Sequence, residues 1–584
     1  MTEIWIWNSM ARRRRSASDT FEENGIQIIK KYLSGLGHKV KVIDWATSEG
    51  FNSLSPDFLK KINHFIFLSV IKSQIKFFRK FLGIVSFLTQ SLLSWVQANR
   101  MKRKLKLLAK EVKKNNIRFF GIKLWYGESF TWAKYLAKQI YWHSPETIVI
   151  AGGYHAALYQ EDILRYSNFD LAVTDEGEYV LHELLTLGAD IKSLWKKSDY
   201  LDSLLAKLKE NPIQGLIYRD NNIIKKIQRS SYTKEIEKKK AIPQYDTASN
   251  KVKVHILMES MGCSWNKCNF CVHNQFTPVY RTRGIDEIIE EIKIVINQDI
   301  GLFRFAGSDT PPQFGKSIAV AILTRGLHIE FTMGSRAVPN SKDPEIYREI
   351  VDCFAVMLRA GLRGVFIGGE TGNDRINEAI MNKGLNSEDI VYTIKAIREA
   401  EQISGIKLTI SLAFIYPSPL IDGISDEDIL HDNIALIKAS RPDSVMISPP
   451  GPFKNSTWHN ECEKFGFEMS ENIIPEFMEY EYVLYKPLNM WPNLNIKLQG
   501  KTFKEILAES QKFRQTVEKE LRIPTDLADE HFLMIRCAGL LSPKGILEFK
   551  QGSLYSIVSG DYTYLDNIAV KVNNYSRALA LCNF

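Results

Sequence analysis

Three thiols fall within nine residues, in the segment Met261-Gly-Cys-Ser-Trp-Asn-Lys-Cys-Asn-Phe-Cys271, with spacing C-x4-C-x2-C. Cysteines this close together suit an iron–sulfur cluster or zinc, because both take thiolate sulfur as ligand. A closed zinc site needs a fourth donor, and His273 stands just beyond Cys271. A [4Fe–4S] cluster held by three thiolates instead leaves one iron open, as catalysis at a metal requires. Spacing alone leaves both chemistries standing. The remaining cysteines, Cys353, Cys462, Cys537 and Cys582, are scattered, so a second cluster is not evident.

The elements that must position this loop read as an αβ series. A strand over Val252–Glu259 leads directly into it. Further strands are expected at Phe303–Ala306, Ile329–Met333, Gly364–Gly368, Leu408–Phe414 and Ser444–Ser448. Between them, Ile285, Ile288, Ile289, Ile292, Val295 and Ile296 make one helical face, and Asn386 with Asp389 forms a capping pair before Ile390–Glu401. Six such units imply a partial (β/α)6 barrel with its chemistry at the carboxyl ends of the strands.

An earlier αβ series occupies the amino-terminal part. Strands are expected at Glu3–Trp7, Lys39–Asp44, Arg118–Leu124, Thr147–Ala151 and Phe169–Thr174, with helices at Phe21–Leu36 and Thr131–Trp142. Strands alternating with helices of this length mean a parallel sheet. Its carboxyl ends are rich in glycine and polar residues: Tyr126-Gly127-Glu128-Ser129, Gly152-Gly153-Tyr154-His155 and Asp175-Glu176-Gly177-Glu178. Residues 191–250 are polar and lysine-rich (Lys238-Lys239-Lys240) and read as a linker. Beyond about residue 455 the alternation fades into an aromatic accessory region, where Tyr480, Tyr482, Tyr485 and Trp491 are pocket or core candidates. The fold class is therefore α/β, divided at 1–190 (with an insertion at about 47–110), 191–250, 251–455 and 456–584.

The chain has 584 residues, room for several domains, and a net charge of +9, which by itself does not indicate nucleic-acid binding. An odd number of cysteines and no secretory pattern at Met1-Thr2-Glu3 point to a reducing cytoplasm. Phe81 to Asn99 carries no charge and is flanked by Lys80 and Arg100. The stretch is expected to be a buried or interfacial helix rather than a stable membrane insertion.

The cysteine segment resembles the cluster loop of radical S-adenosylmethionine enzymes, over roughly residues 252–450, although the usual spacing in that family is C-x3-C-x2-C. The resemblance implies that Cys263, Cys268 and Cys271 hold a [4Fe–4S] cluster and that Phe270 packs near the adenine of S-adenosylmethionine. It also implies that Gly307 and Ser308 bind the methionine amino group, that Arg336 pairs with its carboxylate, and that Gly369 and Glu370 reach the ribose.

The amino-terminal stretch is similar to the Rossmann-like cobalamin-binding domain fused ahead of many radical enzymes. That likeness places Trp125, Tyr126, Gly127, Ser129, Gly152, Gly153, His155, Glu176, Gly177 and Glu178 at the cobalamin. The loop that elsewhere supplies a histidine to cobalt reads Asn8-Ser-Met-Ala-Arg-Arg-Arg-Arg15 here, so no cobalt ligand is expected from it, and Arg12–Arg15 could face the corrin. Together the resemblances imply a cobalamin-dependent radical methyltransferase acting on an unactivated carbon of a natural product or peptide. The alternative is a relative that cyclises, contracts or rearranges its substrate without methyl transfer. Expected partners are that substrate and an external electron donor such as flavodoxin or ferredoxin, with no nucleic acid.

Overall fold

The structure is a computed structural model and describes residues 2–584 apart from 73–75, 190, 192–195, 221–222, 228–240, 247–249, 274–276, 483–487 and 489–490. Lys238–Lys240 and Tyr485 lie outside the described residues.

Ile4, Trp5, Ile6 and Trp7 are all buried, as expected of a strand covered on both faces of a parallel sheet. This strand, β1 (Glu3–Asn8), lies between β2 (Lys39–Asp44) and β3 (Phe119–Lys123); β4 (Ile148–Gly152) and β5 (Leu171–Val173) follow, all parallel. The sheet does not stop there. A hairpin, β6 (Leu216–Asp220) and β7 (Ile223–Lys226), adds antiparallel to β5, and a helix over Lys197–Glu210 precedes it. The region read as a linker thus completes the first sheet as far as Lys226. Its strands are too short and too lysine-flanked to show a period, yet Leu216, Ile217 and Tyr218 are buried.

The insertion consists of helices. α1 (Asn24–Gly35) belongs to the sheet. α2 (Ser48–Leu54), α3 (Asp57–Lys72) and α4 (Lys76–Lys114) follow β2, and α5 (Glu128–His143) packs beside α4. Of the buried or interfacial helix expected at Phe81–Asn99, only one side is buried. Leu82 and Leu93 are buried, but Phe81, Ile84, Phe87, Leu88, Leu92 and Trp95 are exposed. Composition marks a segment as apolar without saying which of its faces finds a partner. By length and composition alone, Phe81–Lys114 could cross a membrane.

The second sheet has six parallel strands in spatial order β15-β14-β13-β12-β11-β8: Ser444–Ser448, Thr409–Ile415, Leu362–Glu370, Glu330–Arg336, Leu302–Phe305 and His255–Leu257. β15 and β8 do not pair, so the barrel is open. Between β8 and β11, a two-residue strand β9 (Ser260–Met261) pairs antiparallel with β10 (Arg281–Thr282) and closes the base of the cysteine loop. The helix Ser387–Ser404 starts at the expected Asn386–Asp389 capping box.

The carboxy-terminal region adds a three-stranded sheet, β16 (Phe467–Met469), β17 (Ile496–Leu498) and β18 (Lys501–Thr502), and, among the described residues, six α-helices, the last four of them Phe503–Glu520, Asp529–Cys537, Pro543–Ser559 and Thr563–Leu581. The helix Asp529–Cys537 plugs the amino ends of the barrel strands. Asp529 takes Arg304 Nε at 3.0 Å and Thr332 Oγ1 at 2.8 Å, and Leu527 O takes the hydroxyls of Ser411 and Ser444. This part of the tail closes the end of the barrel opposite the cysteines.

The arginine run expected to face the corrin is instead consumed within the fold. Arg12 pairs with Glu128 at 2.9 Å, and Arg13 Nε donates to Gln97 Oε1 at 2.7 Å. Arg14, 1% exposed, donates to Asp566 Oδ1 at 2.9 Å and to Thr20 Oγ1 at 3.1 Å. Arg15 meets Asp19 and Glu481. Asp566→Ala would leave the Arg14 guanidinium buried without a counter-charge. It should cost about 3 kcal/mol in denaturant unfolding; a change within error would mean that Arg14 is solvated in solution.

Candidate functional site between the two sheets

The cysteine loop follows β8 and is strapped down by residues 380–384. Asn269 N donates to Met381 O at 3.0 Å, Trp265 Nε1 to Asn382 O at 2.7 Å, and Asn382 Nδ2 to Lys267 O at 2.8 Å. Phe270 packs on Trp458, with ring centres 5.8 Å apart. Cys268 is buried, while Cys263 and Cys271 are partly exposed. Burial pushes the Cys268 thiol up to about 12, against the pull of Lys383. Among the described residues no three cysteine, histidine or acidic side chains converge tightly enough to mark a metal site. The donor set nonetheless fits a cluster: three thiols lie on one strapped loop, and a cationic ammonium stands behind the most buried of them. His273 donates to or accepts from Ser308 Oγ at 3.1 Å, and burial holds its pKa below the ordinary value.

The strand-end residues expected to bind S-adenosylmethionine surround this loop. A side chain at Gly307 would collide with the carboxylate of Glu259 and the hydroxyl of Ser260, so the backbone there is held bare. Gly307 N donates to Glu259 Oε2 at 3.0 Å. Asp309 accepts from Ser264 Oγ at 2.5 Å and from Arg336 N at 3.0 Å, tying the cysteine loop to the ends of β11 and β12. Arg336 lies over the Trp265 ring at 5.1 Å and donates to Lys383 O, while its buried Nε has no hydrogen-bond partner. Gly369 lies against Leu412 and the carbonyl of Ala413. Glu370 has φ +64°, uncommon outside glycine, at a register shift in β13, and pairs with Lys383 at 2.7 Å. Burial opposes the Lys383 charge, yet Glu370 holds its pKa above the ordinary value.

Sequence reasoning passed over two residues of this set. Glu259 is fully buried, and its pKa is raised by burial despite hydrogen bonds from Thr310 and Gly307. Trp265 stacks under Arg336. Neither type stands out at its position without the three-dimensional contacts.

Across from the cysteines lie the carboxyl ends of β3, β4 and β5. Tyr154 brings its ring within 6.0 Å of His273 and 6.1 Å of Trp125, and Glu176 lies 4.0 Å from Arg281. Tyr126 meets Tyr482 at 5.7 Å. Gly153 has φ +92°, and a Cβ there would press on Leu124 O at 3.3 Å, whereas a Cβ at Gly152 would meet only Val173, at 3.9 Å. Gly177 opens the helix Gly177–Ala189. Ser129 Oγ, Glu178 Oε1 and His155 Nε2 are buried polar atoms without hydrogen-bond partners, which suits a cleft built to receive a polar ligand. His155, expected at the cobalamin, is buried within the fold. It is 1% exposed between Phe130 and Tyr159, Gly153 is the N-cap, and burial drives its pKa down to about 3.

With this geometry in place, the comparisons with known proteins are decisive. The sequence matches the radical SAM superfamily over residues 260–432 and the B12 binding domain over residues 96–185. The chain carries both domains. Together they imply a [4Fe–4S] cluster, S-adenosylmethionine and cobalamin as its cofactors. An uncharacterised methyltransferase of Pyrococcus horikoshii is 25% identical over 47% of this chain and 55% of that protein. A ribosomal protein uS12 methylthiotransferase of Dictyoglomus thermophilum is 24% identical over 45% of this chain and 56% of that protein. The matches therefore span about half the length of these relatives. In fold, the radical S-adenosylmethionine methyltransferase TsrM of Kitasatospora setae, solved with cobalamin and a [4Fe–4S] cluster, has a TM-score of 0.58 at 13% identity over 98% of this chain and 100% of that one. The cobalamin-dependent radical enzyme OxsB has a TM-score of 0.53 at 14% identity over 95% of this chain and 72% of that one.

Glu481 gives the cleft a pH-sensitive edge. Burial raises its carboxyl from near 4.5 to about 7, opposed by Arg15. The folded state therefore holds a proton that the unfolded chain has already lost. That stabilisation is complete below about pH 4.5 and is lost as pH rises through about 7. Glu481→Gln should flatten the decline in urea-unfolding free energy across this window; parallel curves would place the carboxyl in solvent. Cys268→Ala should separately drop the reconstituted iron from about four per chain to a small fraction of that, with cobalt uptake retained.

Proposed function

We propose that the protein is a cobalamin-dependent radical S-adenosylmethionine methyltransferase whose substrate is a natural product or peptide. The observation that carries this reading is the apposition of the cysteine loop to the carboxyl ends of β3–β5 across one cleft, with Tyr154 against His273. When bound, the cluster with S-adenosylmethionine supplies a 5′-deoxyadenosyl radical, and cobalamin supplies a transferable methyl group.

The residues of this chain position and shield these groups. Cys263, Cys268 and Cys271 hold the cluster, and Lys383 offsets its negative charge. The guanidinium of Arg336, with its unpartnered Nε, grips the methionine carboxylate through fork geometry. Gly307 leaves room for the methionine end, and Gly369 with Glu370 borders the ribose. Gly152 and Gly153 let the corrin or its tail approach the backbone, with Trp125, Tyr126, Gly127, Ser129, Glu176, Gly177 and Glu178 around it. The carboxy-terminal helix Asp529–Cys537 keeps water out of the barrel from its other end. The electron donor is a small flavin or iron–sulfur protein.

Anaerobic reconstitution with iron, sulfide and hydroxocobalamin tests the reading. About four irons and one cobalt per chain are expected, followed by 5′-deoxyadenosine and S-adenosylhomocysteine as paired products in the presence of a reductant and substrate. Arg336→Ala should raise the S-adenosylmethionine concentration needed for half-saturation about tenfold or more. 5′-Deoxyadenosine formed with a competent substrate but without S-adenosylhomocysteine would favour rearrangement over methyl transfer.

A further inference from the structure

The cofactor chemistry leaves the α3–α4 insertion without a role. Between Phe58 and Lys110 the sequence holds 12 Lys and Arg and no Asp or Glu. The whole chain has a net charge of +9, so this one insertion exceeds the protein's positive charge and the remainder is net negative. Within the same insertion, Phe77, Phe81, Ile84, Leu88, Leu92 and Trp95 recur every three or four residues along α4 and form one face about 27 Å long. That face is largely exposed to solvent: Phe77 is 83% exposed, Phe87 at its margin 71% and Trp95 65%. Phe58, Ile62 and Phe65 of the adjoining α3 are exposed as well.

Further along α4 the face changes character. Two and three turns beyond Trp95, the positions in line with the stripe are Lys102 and Lys106, both exposed, and Lys110 follows. An aromatic-rich apolar stripe running into a row of cations matches the depth profile of a bilayer surface, with acyl chains under one half and anionic headgroups under the other. An acidic protein partner would satisfy the cations, but the 19 uncharged residues Phe81–Asn99 offer it nothing to pair with.

We propose that α3 and α4 dock the protein on the surface of an anionic lipid bilayer, with the stripe lying in the plane of the interface. The opposite side of α4 rules out a spanning arrangement for the folded protein. Leu93, Gln97, Met101 and Leu105 are fully buried, and Gln97 bonds to Arg13 and to Ser55 at 2.8 Å. The helix would have to abandon these contacts to be ringed by lipid.

The test uses the full-length reconstituted protein and sedimented vesicles. Phosphatidylcholine–phosphatidylglycerol vesicles should carry the protein down, and pure phosphatidylcholine vesicles should do so much less. The double variants Phe87→Gln/Trp95→Gln and Lys102→Gln/Lys106→Gln alter only exposed side chains. Each should lower the partition coefficient about tenfold at unchanged thermal stability. High salt should release the bound protein together with its iron and cobalt. Failure to bind anionic vesicles overturns the proposal. So does a vesicle-free dimer that the Phe87/Trp95 variant dissolves, which would assign the face to a second copy of the chain. Retention on the vesicles after alkaline carbonate extraction would indicate insertion and overturn surface docking.

Discussion

Removing a guanidinium from water is tolerable only where fixed partners replace the solvent, and Arg14 is the place where this protein accepts that condition. Its partners are Asp566, near the end of the chain, with Thr20 and the carbonyl of Ala17 close by. Tyr562 adds its hydroxyl to the Arg14 backbone N–H at 3.2 Å. The last helix is thereby bound to the first loop of the first sheet. From there the constraint spreads outward: Asn573 accepts from Lys253 N at 2.7 Å, and Ser576 Oγ donates to Lys253 O at 2.7 Å, just ahead of β8. The strand that launches the cysteine loop is thus referenced to the first sheet through the far end of the chain.

The same logic explains why the two ends of the barrel differ. At the amino ends of the strands Arg304, Thr332, Ser411 and Ser444 all find internal partners in the 527–529 segment. At the carboxyl ends the ledger stays open. Arg336 Nε, Ser129 Oγ and Glu178 Oε1 lack partners, and several groups sit in conformations or charge states that only a ligand would reward. Cys268 is the sharpest case, because its burial opposes the thiolate that a metal requires. Lys383 reduces that opposition without removing it, so the metal itself must drive the deprotonation.

How far the sequence could be read depended on the range of the interactions involved. The parallel strands, the barrel count and the Asn386 cap are local patterns, and they emerge within three residues of where the structure has them. The cysteine loop is equally local. Arg12–Arg15 misled because four adjacent cations look like a solvated or phosphate-facing loop. Their partners, Glu128, Gln97, Asp566 and Glu481, are scattered over the whole chain. The hairpin β6–β7 was missed for the opposite reason, since strands of five and four residues offer too few alternations to carry a period. The burial of His155 between Phe130 and Tyr159 is likewise invisible in the sequence, because both rings reach it only in the folded chain.

α4 marks the limit of hydrophobic patterning as a guide. A helix with apolar residues on two faces gives the same composition whether both are covered or only one. Here Leu82 and Leu93 turn to the domain, and Phe81 and Leu92, one residue away in each case, turn outward. The hydrophobic effect alone would bury both faces. Among the described residues, α2, α5 and the Pro543–Ser559 helix take the inner contacts of α3 and α4, and the outer face stays open. An apolar surface of this extent, fixed to a rigid support and bordered by cations, is a feature that the described fold does not bury, and it is the one the proposed bilayer docking uses.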